Sequence, residues 1–382
     1  MQVIRGGTTA LAVVAALAAA VLAVPAGPAA AETPGTLMGE TAQPDGFHGM
    51  SGGSVITYWT TGSDGAPRPA SGALFVPPGT PPPGGWPIIA FDHGTTGLGR
   101  GCGAKSDPST APQSFWNDEE DELMRHLVSR GFALVAPDYL GLGLFDTGPH
   151  PYLELRTEAA ATIDMVHAVR SAHADLSRTW AVVGLSQGGQ AALGTGYFQS
   201  RDAADLDFRG TVAVDPESDI EKILPIAGPQ IPAIPGTDGS VTYVTYILAG
   251  LRAARPDVGL DQYLSPLGRT VLNDIVTLCK PAIEDRVRGL SIGQLLAKPL
   301  SDTGIRDALT SYMAVPTSGY DAPILLFLNL TDTEVPSPVH VWLAEEFAAN
   351  GVDFRTVTGT GRHVQLNPQM WSALDDFLAN IR

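Results

Sequence analysis

Residues Gly184-Leu185-Ser186-Gln187-Gly188 set a hydroxyl between two glycines, at the end of an apolar run that includes Val182-Val183 and ahead of a helix-compatible segment from Gln190 to Phe198. A G-x-S-x-G pattern that leaves a strand and enters a helix is a nucleophile elbow: the tight turn lifts the serine Oγ clear of the sheet edge. The flanking glycines remove side chains that would crowd such a turn. In a chain with 43 glycines the five-residue pattern arises by accident easily, so the strand before it and the helix after it carry the reading. The chemistry expected is acyl transfer with Ser186 as nucleophile.

A serine hydroxyl attacks only when a base removes its proton, and histidine titrates in the right range. Of the 8 histidines, His363 lies in the loop Gly359-Thr360-Gly361-Arg362-His363-Val364, after the last predicted strand and before the last predicted helix. The chain order serine, acid, histidine puts the base there. His126, His167, His173 and His340 fall on or beside amphipathic helices and His48 precedes the sheet, while His93 and His150 read as loop-organising or pocket residues. The acid that orients the imidazole belongs after the penultimate strand, where Leu328 to Pro336 carries Asp332 and Glu334. Asp332 comes first and is favoured; Glu334 falls near the next helix as a dipole partner or solvent-facing group, and Asp215 is a more distant third. For the oxyanion, the backbone N–H of Gln187 supplies one donor, and Gly94 or Thr95, in the loop after a core strand, supplies the second.

These residues need a parallel sheet to bring them together. After short strands at Val55 to Thr60 and Ala70 to Val76, the pattern alternates strand and helix: Trp86 to Phe91, Trp116 to Arg130, Phe132 to Ala136, Leu155 to Ala172, Thr179 to Val183, the elbow helix, and Phe208 to Val214. Near-continuous apolar strands between amphipathic helices are buried on both faces, the mark of an α/β sheet. Residues 32 to 53 read as a polar surface segment. Between Glu217 and Pro316 the alternation stops, leaving short helices such as Val241 to Ala254, Val271 to Cys279 and Ile292 to Ala297, read as an inserted helical cap. The pattern resumes with strands Ala322 to Leu328 and Asp353 to Val357 and helices Pro336 to Ala349 and Pro368 to Ile381. The expected organisation is a signal peptide over 1–31, an α/β-hydrolase core over 32–216 and 317–382, and a cap over 217–316.

The leader is expected from Arg5, a following Ala/Leu/Val stretch broken at Pro25 and Pro28, and Ala29-Ala30-Ala31 as a small-residue cleavage site, which implies a secreted, extracellular protein without stable membrane insertion. A formal charge of -17 repels nucleic acid phosphates, so nucleic acid is not an expected partner. The 2 cysteines, Cys102 and Cys279, stand outside any metal-ligand spacing, and an even pair in an exported protein reads as a disulfide, although spacing alone does not bring them together.

The chain resembles the secretory lipase family of α/β-hydrolases, the Candida antarctica lipase A-like group. The likeness rests on His93-Gly94-Thr95-Thr96-Gly97, Pro137-Asp138-Tyr139-Leu140-Gly141-Leu142-Gly143, His150-Pro151-Tyr152-Leu153, the Gly184 to Gly189 elbow, Asp332 with Val335-Pro336, and His363. The resemblance implies Ser186, Asp332 and His363 as the triad, a helical cap between serine and acid, a Cys102–Cys279 bond, and hydrolysis of carboxylic esters, triacylglycerols among them. An Ala/Gly-rich composition suggests the actinobacterial branch. The sequence departs from the family where Ala213-Val214-Asp215-Pro216 and the charged Glu217 to Lys222 stretch replace a more usual glycine-rich apolar opening to the cap.

The expectation is thus a lipase or esterase that binds an acyl ester or lipid and needs neither metal nor organic cofactor, since the triad and backbone donors supply nucleophile, base and electrostatic stabilisation. Tyr243, Tyr246, Ile247, Leu248, Leu251, Leu290, Leu295 and Leu296 are candidates to line an acyl channel. An acyltransferase or serine peptidase would use the same triad, and a non-catalytic binding protein could keep the scaffold.

Overall fold

In this computed structural model the described residues are 2, 32–103, 105–107, 117–234 and 238–381. Apart from residue 2, the leader expected over 1–31 lies outside them. Nine strands form one sheet: β1 (Leu37–Ala42), β2 (Ser54–Thr61), β3 (Pro67–Phe75), β4 (Trp86–Asp92), β5 (Ala133–Pro137), β6 (Leu176–Leu185), β7 (Asp207–Val214), β8 (Ile324–Asn329) and β9 (Phe354–Gly359). Their order is β1-β2-β3-β5-β4-β6-β7-β8-β9. The first three run as an antiparallel meander that joins β5 antiparallel, and all pairs from β5 to β9 are parallel.

Parallel pairing decides where the chemistry sits. Every strand from β4 to β9 ends at the same edge, so the loops after them converge although they are far apart in sequence. The strands are held flat between helices by side chains that alternate between the two faces. Along β4, Ile89 and Phe91 join Leu123, Leu127, Leu374 and Leu378 on one face. Ile88 and Ala90 join Ile163, Val166 and Val169 on the other. These partners come from α1 (Asn117–Ser129) and α11 (Pro368–Ala379) on the first face and from α2 (Leu155–Ala172) on the second. α3 (Gln187–Asp202) and α10 (Ser337–Ala349) complete the second face, where Leu193, Leu343 and Phe347 meet Ala213 and Leu326.

Between β7 and β8 every described element is helical: α4 (Ile220–Ile223), α5 (Asp238–Ala254), α6 (Pro266–Ile275), α7 (Lys280–Val287), α8 (Ile292–Leu295) and α9 (Thr303–Met313), with three short 3-10 turns. These helices form a cap whose apolar cluster, in which Tyr246, Leu248, Leu251, Leu295 and Leu296 are buried, also takes in Leu98, Tyr152 and Leu153. Those five therefore pack the cap; of the eight channel candidates, Tyr243 and Ile247 reach a pocket wall.

The architecture agrees with the α/β expectation, and the differences have local causes. Residues 32 to 53 contain an edge strand, β1, whose mostly exposed side chains lack the alternation of a half-buried strand; pairing with β2 makes it. The helix expected over Val271 to Cys279 runs from Pro266 to Ile275, because Ser265 caps it by accepting from Gly268 N and Pro266 opens its first turn. α7 and α9 were not anticipated, being short amphipathic pieces in a segment broken by Gly and Pro. Among the described residues, no helix is long and apolar enough to cross a membrane.

Candidate active site

β6 ends at Leu185 and α3 begins at Gln187, so Ser186 alone turns the chain. Its φ of 56° and ψ of -121° are a conformation L-residues rarely adopt, and Ser186 N donates to Val214 O of β7 at 2.9 Å, which anchors the turn to the next strand. The glycines are steric necessities: a Cβ on Gly188 would lie 1.9 Å from Asp92 O, and one on Gly184 would lie 1.9 Å from Gly188 O. The helix can therefore start tight against β4 with its first N–H groups directed at the space over Ser186.

Three side chains from three loops meet at that space. The Ser186 hydroxyl is 2.8 Å from His363 Nε2, and His363 Nδ1 is 2.6 Å from Asp332 Oδ2. Because a carboxylate only accepts, the proton on the ring sits on Nδ1, which leaves Nε2 free to accept from the hydroxyl. Asp332 Oδ1 accepts from Glu334 N at 2.8 Å and Val335 N at 3.2 Å, so the backbone of its own loop aims the carboxylate. Burial pushes the His363 imidazole down, but its hydrogen bond to Asp332 and the charges of Asp332, Asp215 and Glu217 prevail and raise it above its ordinary value.

Asp215 does not join this relay. Its carboxylate holds the two loops that carry it: Oδ1 accepts from Asn329 N at 2.6 Å, and Oδ2 accepts from Asn329 Nδ2 and from Val364 N, each at 2.7 Å. Val364, next to the base, has φ 56°, so Asp215 secures a strained residue at the point that sets the imidazole's direction. Asn329 Oδ1 also accepts from Gly361 N at 3.1 Å. His340, buried on α10, lies 4.0 Å from Asp215 Oδ1. Asp215, Asp332 and His340 offer ligand atoms within 4.8 Å of one another, but both carboxylates are already engaged by these donors, so the cluster reads as loop scaffolding rather than a metal centre.

The oxyanion side rests on a buried polar layer. Gly94 N donates to Glu120 Oε1 at 2.7 Å, while Lys105 Nζ pairs with Glu120 Oε2 at 2.6 Å. The Gly94 amide is therefore committed to α1. Truncating one partner of such a buried ion pair costs about 3–5 kcal/mol, because the other charge is stranded. The neighbouring Thr95 has its hydroxyl 2.8 Å from that of Tyr152. His93 Nδ1 donates to Gly94 O at 2.7 Å, and its ring stacks on Tyr139, so it organises the loop. His150 Nδ1 donates to Leu140 O at 3.0 Å and its Nε2 accepts from Gln187 Nε2 at 2.7 Å; the same amide nitrogen donates to Glu158 Oε1 at 2.7 Å. Burial pushes His150 down to about 3, which keeps it neutral and able to accept. These contacts fix the Gln187 side chain, and with it the residue whose N–H follows the nucleophile.

The cap docks on the loop after β4 through main chain and a covalent bond. Leu98 N donates to Leu278 O at 3.0 Å and Lys280 N to Thr96 O at 2.8 Å. Cys102 and Cys279 form a disulfide with Cα atoms 5.2 Å apart. Gly97 fits beneath it only because it lacks a side chain: a Cβ would stand 2.7 Å from Cys102 Sγ and 2.8 Å from Cys279 Cα. The cap leaves a pocket of about 230 Å³ whose walls include Ile220, Leu224, Ala227, Tyr243, Val244 and Ile247, with Glu217 and, from the Asp332 loop, Glu334 in the lining. Glu334 thus faces this pocket, close to Tyr243 of the cap. Sequence reasoning placed it at a helix start or in solvent, because its neighbour comes from the cap.

The chain was compared with known proteins. Residues 74–373 match the alpha/beta hydrolase family. No curated protein matches the chain significantly. Among solved structures, the rice cell wall degrading esterase LipA from Xanthomonas oryzae is similar, with 21% identity over 91% of this chain and 96% of its own and a TM-score of 0.70. Candida antarctica lipase A is similar with 16% identity over 91% of this chain and 83% of its own and a TM-score of 0.74. A putative hydrolase from Legionella pneumophila aligns with 20% identity over 86% and 88% of the two chains and a TM-score of 0.65. At these identities the neighbours speak for the fold, whereas the family match spans most of the sequence: the chain belongs to the alpha/beta hydrolase family.

Proposed function

We propose that the protein is a secreted carboxylic ester hydrolase that works through an acyl-enzyme on Ser186. The observation that carries this reading is the Ser186–His363–Asp332 relay at a strained strand-to-helix turn beside an apolar pocket. Ser186 Oγ attacks the ester carbonyl carbon while His363 Nε2 takes the hydroxyl proton, and Asp332 steadies the resulting imidazolium. The carbonyl oxygen becomes an oxyanion that the N–H groups of Gln187 and Thr95 receive; Thr95 is preferred because the Gly94 amide is engaged by Glu120. Collapse breaks the bond to the alcohol, which leaves with the proton from His363. Water then attacks the acyl carbon, giving its proton to His363, and the second collapse returns that proton to Ser186 as the acid departs.

The 217–316 boundaries of the cap, with core parts at 32–216 and 317–382, belong to the same proposal, supported by the all-helical run between β7 and β8. Export is supported by the leader-like residues before Glu32 and by the Cys102–Cys279 disulfide, a bond that persists in oxidising compartments. The apolar pocket and the Candida antarctica lipase A-like fold favour aliphatic acyl esters, lipids among them, and the Ala/Gly-rich composition favours an actinobacterial branch.

The test is hydrolysis of p-nitrophenyl esters of graded chain length, alongside peptide substrates and alcohol acceptors. Ester hydrolysis is expected, with a loss of about 10⁴-fold or more in kcat for Ser186→Ala and no fluorophosphonate labelling of that variant. Cleavage of peptides alone, transfer to alcohols in place of water, or undiminished hydrolysis by Ser186→Ala would each overturn the assignment.

A further inference from the structure

Several buried carboxylates around the triad have donors on at least one oxygen. Asp332 and Asp215 are satisfied as described, Glu158 accepts from Leu153 N and Gln187, and Glu120 accepts from Gly94 N and Lys105. Glu217 differs. It is only 5% exposed, it lines the apolar pocket, and its carboxyl receives no hydrogen bond from the described residues. Its own backbone N–H donates to Ser186 O at 3.3 Å, so it stands at the catalytic end of the pocket.

Such a group is costly when an aliphatic chain excludes water from it, since a buried carboxyl without a partner keeps its full desolvation penalty. A ligand that brings its own hydrogen-bonding group removes that penalty. The charged and titratable groups around Glu217 are His363, Asp332, Glu334, Lys280, Tyr152 and Tyr243. Lys280 Nζ lies 3.3 Å from Oη of Tyr243, a residue of the pocket wall. An ammonium group on the ligand would meet that cation, whereas a hydroxyl fits beside it. Burial pushes the Glu217 carboxyl up to about 7, so both of its protonation states are populated near neutrality. A hydroxyl suits both, donating to the ionised carboxylate and accepting from the neutral acid.

We infer that Glu217 is a specificity residue whose carboxyl hydrogen-bonds a hydroxyl on the chain seated in the pocket, so that the preferred substrates are aliphatic esters hydroxylated close to the ester group. The inference rests on the ester-hydrolase reading and names its substrate class. Selectivity of this kind is strong because the unsubstituted analogue leaves a polar group of the site unpaired.

The experiment compares kcat/KM for p-nitrophenyl octanoate and its 3-hydroxy and 3-amino analogues, and for propyl and 2-hydroxypropyl octanoate, in wild type, Glu217→Leu and Glu217→Gln. Wild type is expected to favour the hydroxylated ester about tenfold on one arm, which tells whether the acyl or the alcohol part occupies the pocket. In Glu217→Leu the ratio should fall to near one. Glu217→Gln, of nearly the same size, should keep the preference but lose the variation of the ratio with pH around 7; the common titration of His363 cancels in that ratio. If Glu217→Leu does not fold, the Glu217→Gln comparison decides. A wild-type ratio of one on both arms, a ratio unmoved in Glu217→Leu, a ratio in Glu217→Gln that still varies with pH around 7, or a preference for the amino ester would overturn the inference while leaving ester hydrolysis standing. No hydrolysis of any ester would remove the ester-hydrolase reading and this inference with it.

Discussion

The C-terminal edge of the sheet and the helical segment between β7 and β8 meet at one pocket, but they are built differently. At the edge, each candidate catalytic group sits a residue or a few residues beyond a parallel strand, and backbone amides hold it: Val214 O anchors Ser186, and Asp215 anchors Val364. In the cap, side chains pack helices of 4 to 17 residues into an apolar cluster that also takes in Leu98, Tyr152 and Leu153 of the edge loops, and the Cys102–Cys279 bond and the main-chain pairing at Thr96 and Leu98 tie it to the edge. The difference implies a division of labour in which the edge sets the rate of the chemical step and the cap sets which ester reaches it.

The largest effect that would test this division is at the acid. Asp332→Asn is expected to lower kcat by roughly 10³–10⁴-fold with KM little changed, because the imidazole loses the partner that fixes its tautomer. Glu334→Gln, two residues away but facing the cap pocket, should cost less than about tenfold and appear mainly in KM. Steady-state kinetics of the pair checks this, and a larger kcat loss at Glu334 would reverse the assignment of the acid.

A smaller but measurable effect concerns the junction. Replacing Cys102 and Cys279 together by serine should lower unfolding stability by about 3–5 kcal/mol, since the bond closes a long loop in the unfolded chain. Denaturant unfolding would report it. Because the main-chain pairing around Thr96 and Leu98 remains, activity below the melting temperature should fall far less than in Asp332→Asn; an equal loss would mean that the disulfide shapes the oxyanion loop directly.

The smallest expected effect is a displacement along the pH axis. His363 acts as a base when neutral, and its value is raised, so kcat/KM on uncharged esters should climb with pH through an inflection above the ordinary 6.5. Asp332→Asn should move that inflection down. The sign for stability follows from the same shift: a group whose folded value is raised contributes fully below its unfolded value, and the contribution is lost as pH rises through the folded one. Asp92, which burial pushes up to about 8, acts in the same direction, so Asp92→Asn should lessen the loss of melting temperature above neutral pH. A stability that increases from pH 7 to pH 9 would contradict both.

Much of the site was legible because its signals are local. The apolar run before Ser186, the glycines around it, and the positions of Asp332 and His363 after successive strands required only periodicity and the order of elements. Asp215 carried a comparable signal, standing directly after β7 at the same edge, yet its position did not distinguish an acid that orients the base from one that ties two loops together. The charged Glu217 to Lys222 stretch was visible as a departure from the resembling family, but nothing local showed that Glu217 faces a pocket.

The sequence by itself determined the α/β class, the elbow, the order serine, acid, histidine and the location of the helical insertion, because each is written in patterns a few residues to a few turns long. Tertiary structure alone decided that Glu120 claims the Gly94 amide, that Asp215 braces Val364, that Glu334 lies close to Tyr243 and that the Glu217 carboxyl meets no donor among the described residues. Each of those outcomes depends on which side chains from distant loops arrive at the same few ångströms, and hydrogen-bond partners chosen across such separations leave no periodicity to read.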